Sequence, residues 1–179
     1  MVYMFLATGF EEVEALAPLD LLRRTNVEIK TVGVGGRTIV GAHSIPVVAD
    51  MTDDEFSDDA PEMIILPGGM PGTLNLDESE TVHRAIDAAV KCGAHIAAIC
   101  AAPMILGKKG LLLGREAIAY PGFEEHLLGA TVSNLSVVND GRITTAKGMG
   151  VANEFGLTLV KLLKGEEIAE KLRKSTISE

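Results

Sequence analysis

The sequence predicts an α/β sandwich, in which a mostly parallel sheet is covered by helices on both faces. Short β-rich runs alternate with helical stretches along the chain, and such alternation is typical of parallel sheets. Several runs are apolar throughout, as expected of strands that are buried on both faces. No linker, repeat or low-complexity segment interrupts the 179 residues, so we predict a single domain over residues 1–179.

The first third of the chain is predicted to supply two strands and one helix. Pro18 lies inside the helix and is expected to kink or restart it, because proline removes a backbone donor. Residues 38–49 predict one or two short strands, and the acidic segment 52–59 predicts a surface connection. The main predicted elements are strand Val2–Ala7, helix Glu11–Arg24 and strand Glu28–Val34.

The rest of the chain continues the alternation. Residues 80–91 place apolar side chains on one helical face and charges on the other. Gly165 is expected to end the last long helix in the left-handed αL conformation. The predicted strands are Met63–Leu66, His95–Ile99, Glu116–Tyr120, Ala130–Val132 and Arg142–Thr145, and the predicted helices are Glu80–Lys91, Ala102–Gly110, Ala152–Lys164 and a final helix.

Composition argues against several classes of partner. The chain has 25 acidic and 16 basic residues, a net charge of −9, and therefore lacks the attraction that drives non-specific nucleic-acid binding. The apolar start, Met1–Ala7, has no basic segment before it and is unlike a signal peptide. The longest apolar stretch is about half of the ~20 residues that a membrane-spanning helix needs. We predict a cytoplasmic protein that binds neither nucleic acid nor membrane.

The two cysteines, Cys92 and Cys100, predict no disulfide and no metal site, because there is no secretory signal and no zinc-ligand spacing. Cys100 follows an apolar strand, with alanines two residues before and after it. This is the small–x–nucleophile–x–small pattern of a nucleophile elbow. A helix beginning just after Cys100 is expected to favour the thiolate and lower the thiol pKa. The alternative is that Cys100 is a buried residue that only fills apolar space. Cys92 has no such pattern, and we interpret it as a structural or surface residue.

A glycine-rich turn, residues 66–72, follows the third apolar strand and contains Gly68 and Gly69. It lacks the residues of a phosphate-binding loop. We interpret it as one half of an oxyanion hole, with the N–H of Gly69 paired with the N–H of Ala101 just after the nucleophile. A plain tight turn is the alternative.

Glu14 is the acid best placed to work with Cys100. Glu11, Glu12 and Glu14 follow the first strand, and a helix N-terminus favours acidic residues in any case. Glu14, however, lies in an apolar stretch, and burial beside a thiolate would raise its pKa and make it a proton donor or shuttle. The four histidines are scattered, and none has a sequence neighbour that suggests a ligand pair.

Four segments together resemble the ThiJ/PfpI superfamily, and within it the branch of the parkinsonism-associated protein. The resemblance covers nearly the whole chain in the family's order. It implies a flavodoxin-like sandwich, a homodimer, and a catalytic Cys100 that works with Glu14. The segments are Gly9–Glu14 (GFEEVE), Leu66–Gly69 (LPGG), Ala97–Pro103 (AAICAAP) and residues 148–150 (GMG).

Two departures from the wider superfamily refine this expectation. The protease-like members carry a histidine immediately after the cysteine, where this chain has Ala101, so a peptidase is not expected. Other members place a histidine on the loop after the following strand, where this chain has Tyr120. The Tyr120 hydroxyl is therefore included among the candidate site residues.

The resemblance implies a cofactor-independent glyoxalase or deglycase that acts on methylglyoxal or a related small reactive carbonyl. The residues fit its steps: the Cys100 thiolate attacks the aldehyde, the N–H groups of Gly69 and Ala101 hold the oxyanion, and Glu14 moves a proton between adjacent carbons. The alternative is a redox-sensing or chaperone-like stress protein whose Cys100 is oxidised to a sulfinate held by Glu14.

Overall fold

The computed structural model describes residues 1–57 and 60–177, and within them a seven-stranded sheet is flanked by helices. The strands are β1 Val2–Leu6, β2 Ile29–Gly33, β3 Thr38–Val40, β4 Pro46–Val48, β5 Met51–Thr52, β6 Met63–Leu66, β7 His95–Ile99, β8 Glu116–Ala117, β9 Thr131–Val132, β10 Val137–Asp140 and β11 Ile143–Ala146. The helices are α1 Glu12–Arg24, α2 Gly72–Asp77, α3 Glu80–Cys92, α4 Pro103–Lys108, α5 Ala152–Lys164 and α6 Glu166–Ser175.

The sheet has the strand order β10-β11-β7-β6-β1-β2-β5 and is parallel except for the β10–β11 pair. Strand β1 lies between β6 and β2, and the chain adds β2 on one side of it and the later strands β6 and β7 on the other. Parallel α/β sheets bind ligands beyond the carboxyl ends of their strands at such a switch point. The loops after β1, β6 and β7 therefore meet at one edge of the sheet.

Two apolar cores lie on opposite faces of the sheet, because alternate side chains of each central strand point to opposite sides. Met4 and Leu6 join a core with buried residues of α1, α5 and α6. Phe5 and Ala7 join the other core, with buried residues of α3 and α4. This three-layer arrangement confirms the predicted α/β sandwich with a mostly parallel sheet.

Two predictions about helix geometry need correction. Helix α1 continues through Pro18 from Glu12 to Arg24, so proline does not restart it. Gly165 has a positive φ of 93° but a ψ of 164°, which is extended and not αL. The αL cap of this kind occurs instead at Gly93, which ends α3 with φ 72° and ψ 27°.

Several short elements differ from the predicted ones. Residues 38–48 form an antiparallel hairpin of β3 and β4, separate from the main sheet. The predicted strands 116–120 and 130–132 shrink to β8 and β9, which pair with each other. Helix α2 and strand β10 were not predicted. Of the acidic connection 52–59, residues 58 and 59 lie outside the described part. Each described helix falls short of the length and apolarity needed to cross a bilayer.

Candidate active site

Cys100 sits at a strained turn between β7 and α4. Its φ is +64°, a left-handed conformation that non-glycine residues seldom adopt and the kind of backbone strain that a nucleophile elbow carries. The end of β11 and the loop after β8 hold the turn in place: the Cys100 N–H donates to the carbonyl of Ala146 at 2.9 Å, and the Cys100 carbonyl accepts the Tyr120 N–H at 2.8 Å. The side chain is thereby fixed beyond the end of the sheet.

Glu14 contacts Cys100 from the first turn of α1. Its side chain is only 1% exposed and is hydrogen-bonded to the Cys100 side chain. The N–H of Gly68 donates to Glu14 Oε2 at 3.0 Å, and the N–H of Met149 donates to the same carboxyl group. The two residues that the sequence singled out are therefore in direct contact.

The two groups influence each other's protonation. Burial, chiefly, raises the pKa of Glu14 to about 7. Burial and the negative charge of Glu14 raise the pKa of the Cys100 thiol to about 12. The expectation that a helix N-terminus lowers this pKa is therefore wrong while Glu14 is ionised, because α4 begins only at Pro103 and burial has the larger effect.

Protonation of Glu14 removes one cause of the raised thiol pKa, while the effect of burial remains. It removes the negative charge beside the sulfur and turns the carboxyl group into a hydrogen-bond donor. The N–H groups of Gly69 and Ala101, which lower the thiol pKa, then act on Cys100 without that opposition. The pair thus shares one proton, and the nucleophilic form has the proton on Glu14 and the charge on Cys100.

The glycine turn is shaped by this pair. A Cβ on Gly68 would lie 2.6 Å from both Cys100 Cβ and Glu14 Oε2, so only glycine fits between them. Gly69 has a φ of +91°. The N–H groups of Gly69 and Ala101, assigned from the sequence to an oxyanion hole, are both directed at the Cys100 side chain.

A pocket of about 530 Å³ opens above this pair. Glu14, Cys100, Tyr120 and Lys147 are among its lining residues. The Tyr120 ring lies against Gly148, where an added Cβ would be 3.2 Å from ring carbon Cδ2. Tyr120 thus lines the same pocket as Cys100 and Glu14.

His43 also lines this pocket, and sequence reasoning missed it. The residue lies in the β3–β4 hairpin, and its Nδ1 is 2.7 Å from Oε2 of Glu12, a carboxylate that is 4% exposed. The pairing joins residues that are 31 positions apart. No local sequence pattern connects the two residues, so the sequence alone offered no signal for this pair.

Glu11, Glu12 and His43 form a group whose ligand atoms lie within 4.8 Å of one another, close enough to bridge with a metal ion. Glu12 already accepts two hydrogen bonds from His43. Glu11 Oε2 accepts the N–H of Glu14 at 2.7 Å as the cap of α1. The group is therefore held together by hydrogen bonds of its own.

Cys92 is the last residue of α3 and precedes β7, whereas Cys100 follows the other end of that strand. The Cys92 sulfur is near the carbonyls of Pro61 and Ala89, at 3.5 and 3.6 Å. Cys92 is exposed, whereas Cys100 is partly buried. The structure thus keeps the two cysteines in different surroundings.

Comparison with known proteins identifies relatives across nearly the full chain. The DJ-1/PfpI family model matches residues 1–162. Protein dj-1beta of Drosophila melanogaster is 31% identical over 177 residues, which cover 97% of this chain and 95% of that protein. A protein of Pyrococcus abyssi named a deglycase is 31% identical over 169 residues, covering 91% and 99%.

Solved structures agree with these matches. The crystal structure of Drosophila melanogaster DJ-1beta matches with a TM-score of 0.94 and 30% identity over 99% of this chain and 97% of that one. Toxoplasma gondii DJ-1, in a form described as oxidized, matches with a TM-score of 0.94 and 30% identity over 98% and 97%. The fold is thus the flavodoxin-like sandwich that the resemblance implied. The chain belongs to the DJ-1/PfpI family.

Proposed function

We propose that this protein is a cofactor-independent enzyme that uses Cys100 to transform small reactive carbonyl compounds, with methylglyoxal as the model substrate. The observation that carries the proposal is the contact between Cys100, at a left-handed elbow, and a buried Glu14 whose pKa is raised to about 7. A carboxyl group with a pKa near the working pH is suited to both giving and taking a proton. The relative named a deglycase supports the same class of substrate.

In the first step the Cys100 thiolate attacks the aldehyde carbon. A sulfur–carbon bond forms, and the new alkoxide takes the proton held by Glu14, which gives a hemithioacetal and leaves Glu14 ionised. The N–H groups of Gly69 and Ala101 stabilise the thiolate before attack. We expect them to follow the negative charge to the oxygen on the adjoining carbon.

In the second step Glu14 isomerises the hemithioacetal. Its carboxylate removes the proton from the carbon bonded to sulfur, which gives an enediolate, and then returns this proton to the neighbouring carbon. The hydroxyl proton on the first carbon passes to the oxygen of the second, so that the first carbon becomes the carbonyl of a thioester. The product is a 2-hydroxyacyl thioester of Cys100. Water then hydrolyses the thioester to lactate and restores the thiol, so the overall reaction adds one water to methylglyoxal.

A redox-sensing role is the second candidate. The same Glu14 carboxyl group and the two N–H groups are positioned to hold the oxygens of a Cys100 sulfinate. The match to an oxidized relative favours this candidate. In this case Cys100 would be oxidised by peroxide and would not turn over a carbonyl compound.

A turnover assay separates the two roles. Purified protein, without added glutathione or metal, is expected to convert methylglyoxal to lactate, whereas Cys100→Ser is expected to be inactive. Cys92→Ser serves as the matched cysteine control and should retain the wild-type rate. Absence of turnover together with specific peroxide oxidation of Cys100 would favour the sensor role and overturn the enzymatic proposal.

A further inference from the structure

A second carboxylate-bearing pair is formed by His43, which lines the same pocket, and the buried Glu12 behind it. Glu12 is 4% exposed, and each of its oxygens has one donor: Oε1 accepts the N–H of His43 and Oε2 contacts His43 Nδ1, both at 2.7 Å. Gly41 packs so closely on Glu12 that any Cβ there would overlap the carboxylate. The hairpin loop is thus built around this one buried acid.

The pairing fixes the orientation of the His43 ring. Because Nδ1 donates to a carboxylate, Nε2 is the ring atom available to exchange a proton with a ligand or water. Two further backbone bonds, Gly9 N–H to Val40 carbonyl and Ala42 N–H to Phe10 carbonyl, both 2.8 Å, hold the loop on the start of α1. A histidine oriented by a carboxylate is the arrangement that general bases use in other hydrolytic sites.

The Cys100–Glu14 pair is poorly suited to one step of the proposed reaction, the hydrolysis of the thioester. Hydrolysis of the Cys100 thioester needs a water and a base, whereas Glu14 is almost fully buried beside the sulfur. The side chain of His43 is 69% exposed and lines the part of the site that water reaches. A pocket of about 530 Å³ has room for a three-carbon acyl group and ordered waters, each of which occupies about 30 Å³.

We propose that His43 is the general base that activates water for hydrolysis of the Cys100 thioester, with Glu12 as its positioning residue; this inference rests on the proposed function. In the step, the water oxygen bonds to the thioester carbonyl carbon and its proton passes to His43 Nε2. The carbon–sulfur bond breaks, and its electron pair leaves with the Cys100 thiolate. No reactant other than water is needed.

The charges around His43 set the expected pH dependence. The hydrogen bond to Glu12, its charge, and the charge of Glu11 raise the pKa of His43 above its ordinary value. Lys147, which directly follows β11, and Glu14, on the pocket floor, are further charged residues that line the same pocket. Since a base must be unprotonated, hydrolysis is expected to accelerate as pH rises through the His43 pKa.

The decisive variant is His43→Asn, whose side-chain amide nitrogen replaces Nδ1 as donor to Glu12 but which has no counterpart of Nε2. Wild type and variant are mixed rapidly with methylglyoxal, and the Cys100 adduct is followed by quenched-flow mass spectrometry alongside lactate release. We expect the adduct to form within a factor of about two of the wild-type rate and lactate release to slow by about 100-fold, so that the thioester accumulates. His126→Asn, outside the pocket lining, is the matched control.

The outcomes separate the two proposals. If the wild type forms neither adduct nor lactate, the proposed function fails and this inference fails with it. If the wild type turns over and His43→Asn releases lactate at the same rate, only the inference is overturned, and the Glu12–His43 pair merely anchors the hairpin. If both phases slow equally, His43 acts before hydrolysis and the assignment to the water step is wrong.

The pH profile of lactate release in Glu12→Gln distinguishes a catalytic His43 from one that only anchors the hairpin. The change removes the charge that raises the His43 pKa while keeping the size of the side chain. The acid limb of the lactate-release profile is therefore expected to shift to lower pH. An unshifted limb would show that the titrating base is not His43.

Discussion

The Cys100 backbone conformation costs a non-glycine residue on the order of 1–3 kcal/mol, and contacts on both sides maintain it. Two backbone hydrogen bonds of Cys100 offset this cost, one of 2.9 Å to the end of β11 and one of 2.8 Å to the loop that contains Tyr120. This backbone conformation places the Cys100 sulfur in hydrogen-bond contact with the Glu14 carboxyl group and with the N–H groups of Gly69 and Ala101. One strained residue thereby gains a proton partner and two donors.

Brief treatment with iodoacetamide is expected to label Cys100 ahead of Cys92, although Cys92 is the more exposed of the two. The reason is that protonated Glu14 and two N–H groups favour the Cys100 thiolate. Because Glu14 has a pKa of about 7 and its protonated form favours the thiolate, labelling of Cys100 relative to Cys92 is expected to increase as pH falls from 8 to 6. Peptide mass spectrometry gives the ratio, and preferential labelling of Cys92 would contradict the assignment.

The sequence predicted that Cys100 and Glu14 work together, but it did not predict the direction in which the thiol pKa is shifted. Cys100 and Glu14 each follow an apolar strand, and strand ends converge in parallel sheets, so their proximity could be inferred. The raised thiol pKa depends on how deeply both groups are buried, which no local pattern reveals. His43 was missed because its partner Glu12 is 31 positions away.

Among the elements, α1 and α5 pack most closely on the face of the sheet behind the site. The close approach occurs at Gly156, where an added Cβ would be 2.9 Å from Pro18 Cα and 2.8 Å from Leu21 Cδ1. Glu14 lies one turn before Pro18 on α1. The position of the acid therefore depends on this helix contact.

Gly156→Ala is expected to destabilise the protein by about 1–3 kcal/mol, because the added methyl group meets backbone that cannot move aside. Removing glycine from a helix interior would alone stabilise by about 1 kcal/mol, so the sign of the change is diagnostic. Urea denaturation measures it, with Asn153→Ala, an exposed position of the same helix, as control. A stabilised Gly156→Ala variant would show that the two helices are not in tight contact.

The elements that the sequence predicted best are the buried strands of the central sheet, because an unbroken apolar run bounded by glycine or charge is a strong signal. Helix α2 was missed because its six residues are too short to show a helical period. Strand β10 was missed although Asp140 and Gly141 precede β11 and such a pair often marks a hairpin. Its half-exposed residues lack the apolar run of the inner strands.

For the whole molecule, the sheet brings loops from distant parts of the chain to one edge, and the pocket forms between them. Residues from the α1 start, the β3–β4 hairpin and the β11 end contribute to its lining. The hairpin also presents outward apolar side chains, with Val40 41% and Val48 69% exposed. Exposed apolar surface of this kind is typical of sites of association.

We expect the protein to form a homodimer, as its family resemblance implies, with the outward face of the hairpin in the interface. Val48→Glu would bury a charge there and is expected to weaken the dimer while leaving the fold intact. Sedimentation equilibrium of wild type and variant measures the association constant, with circular dichroism as a check on folding. A wild type that remains monomeric at micromolar concentration would contradict the expectation.

The central claim is that Glu14 shares a proton with Cys100 and moves that proton during turnover, and Glu14→Gln tests it most directly. Gln keeps a donor beside the sulfur but carries no charge and cannot shuttle a proton. Thiolate absorbance against pH and lactate formation are measured on the same samples of wild type and variant. We predict a lower thiol pKa in the variant, because the charge that raises it is gone, together with a loss of turnover of about 100-fold or more. Near-normal turnover in Glu14→Gln would contradict the account and leave Glu14 with only a positioning role.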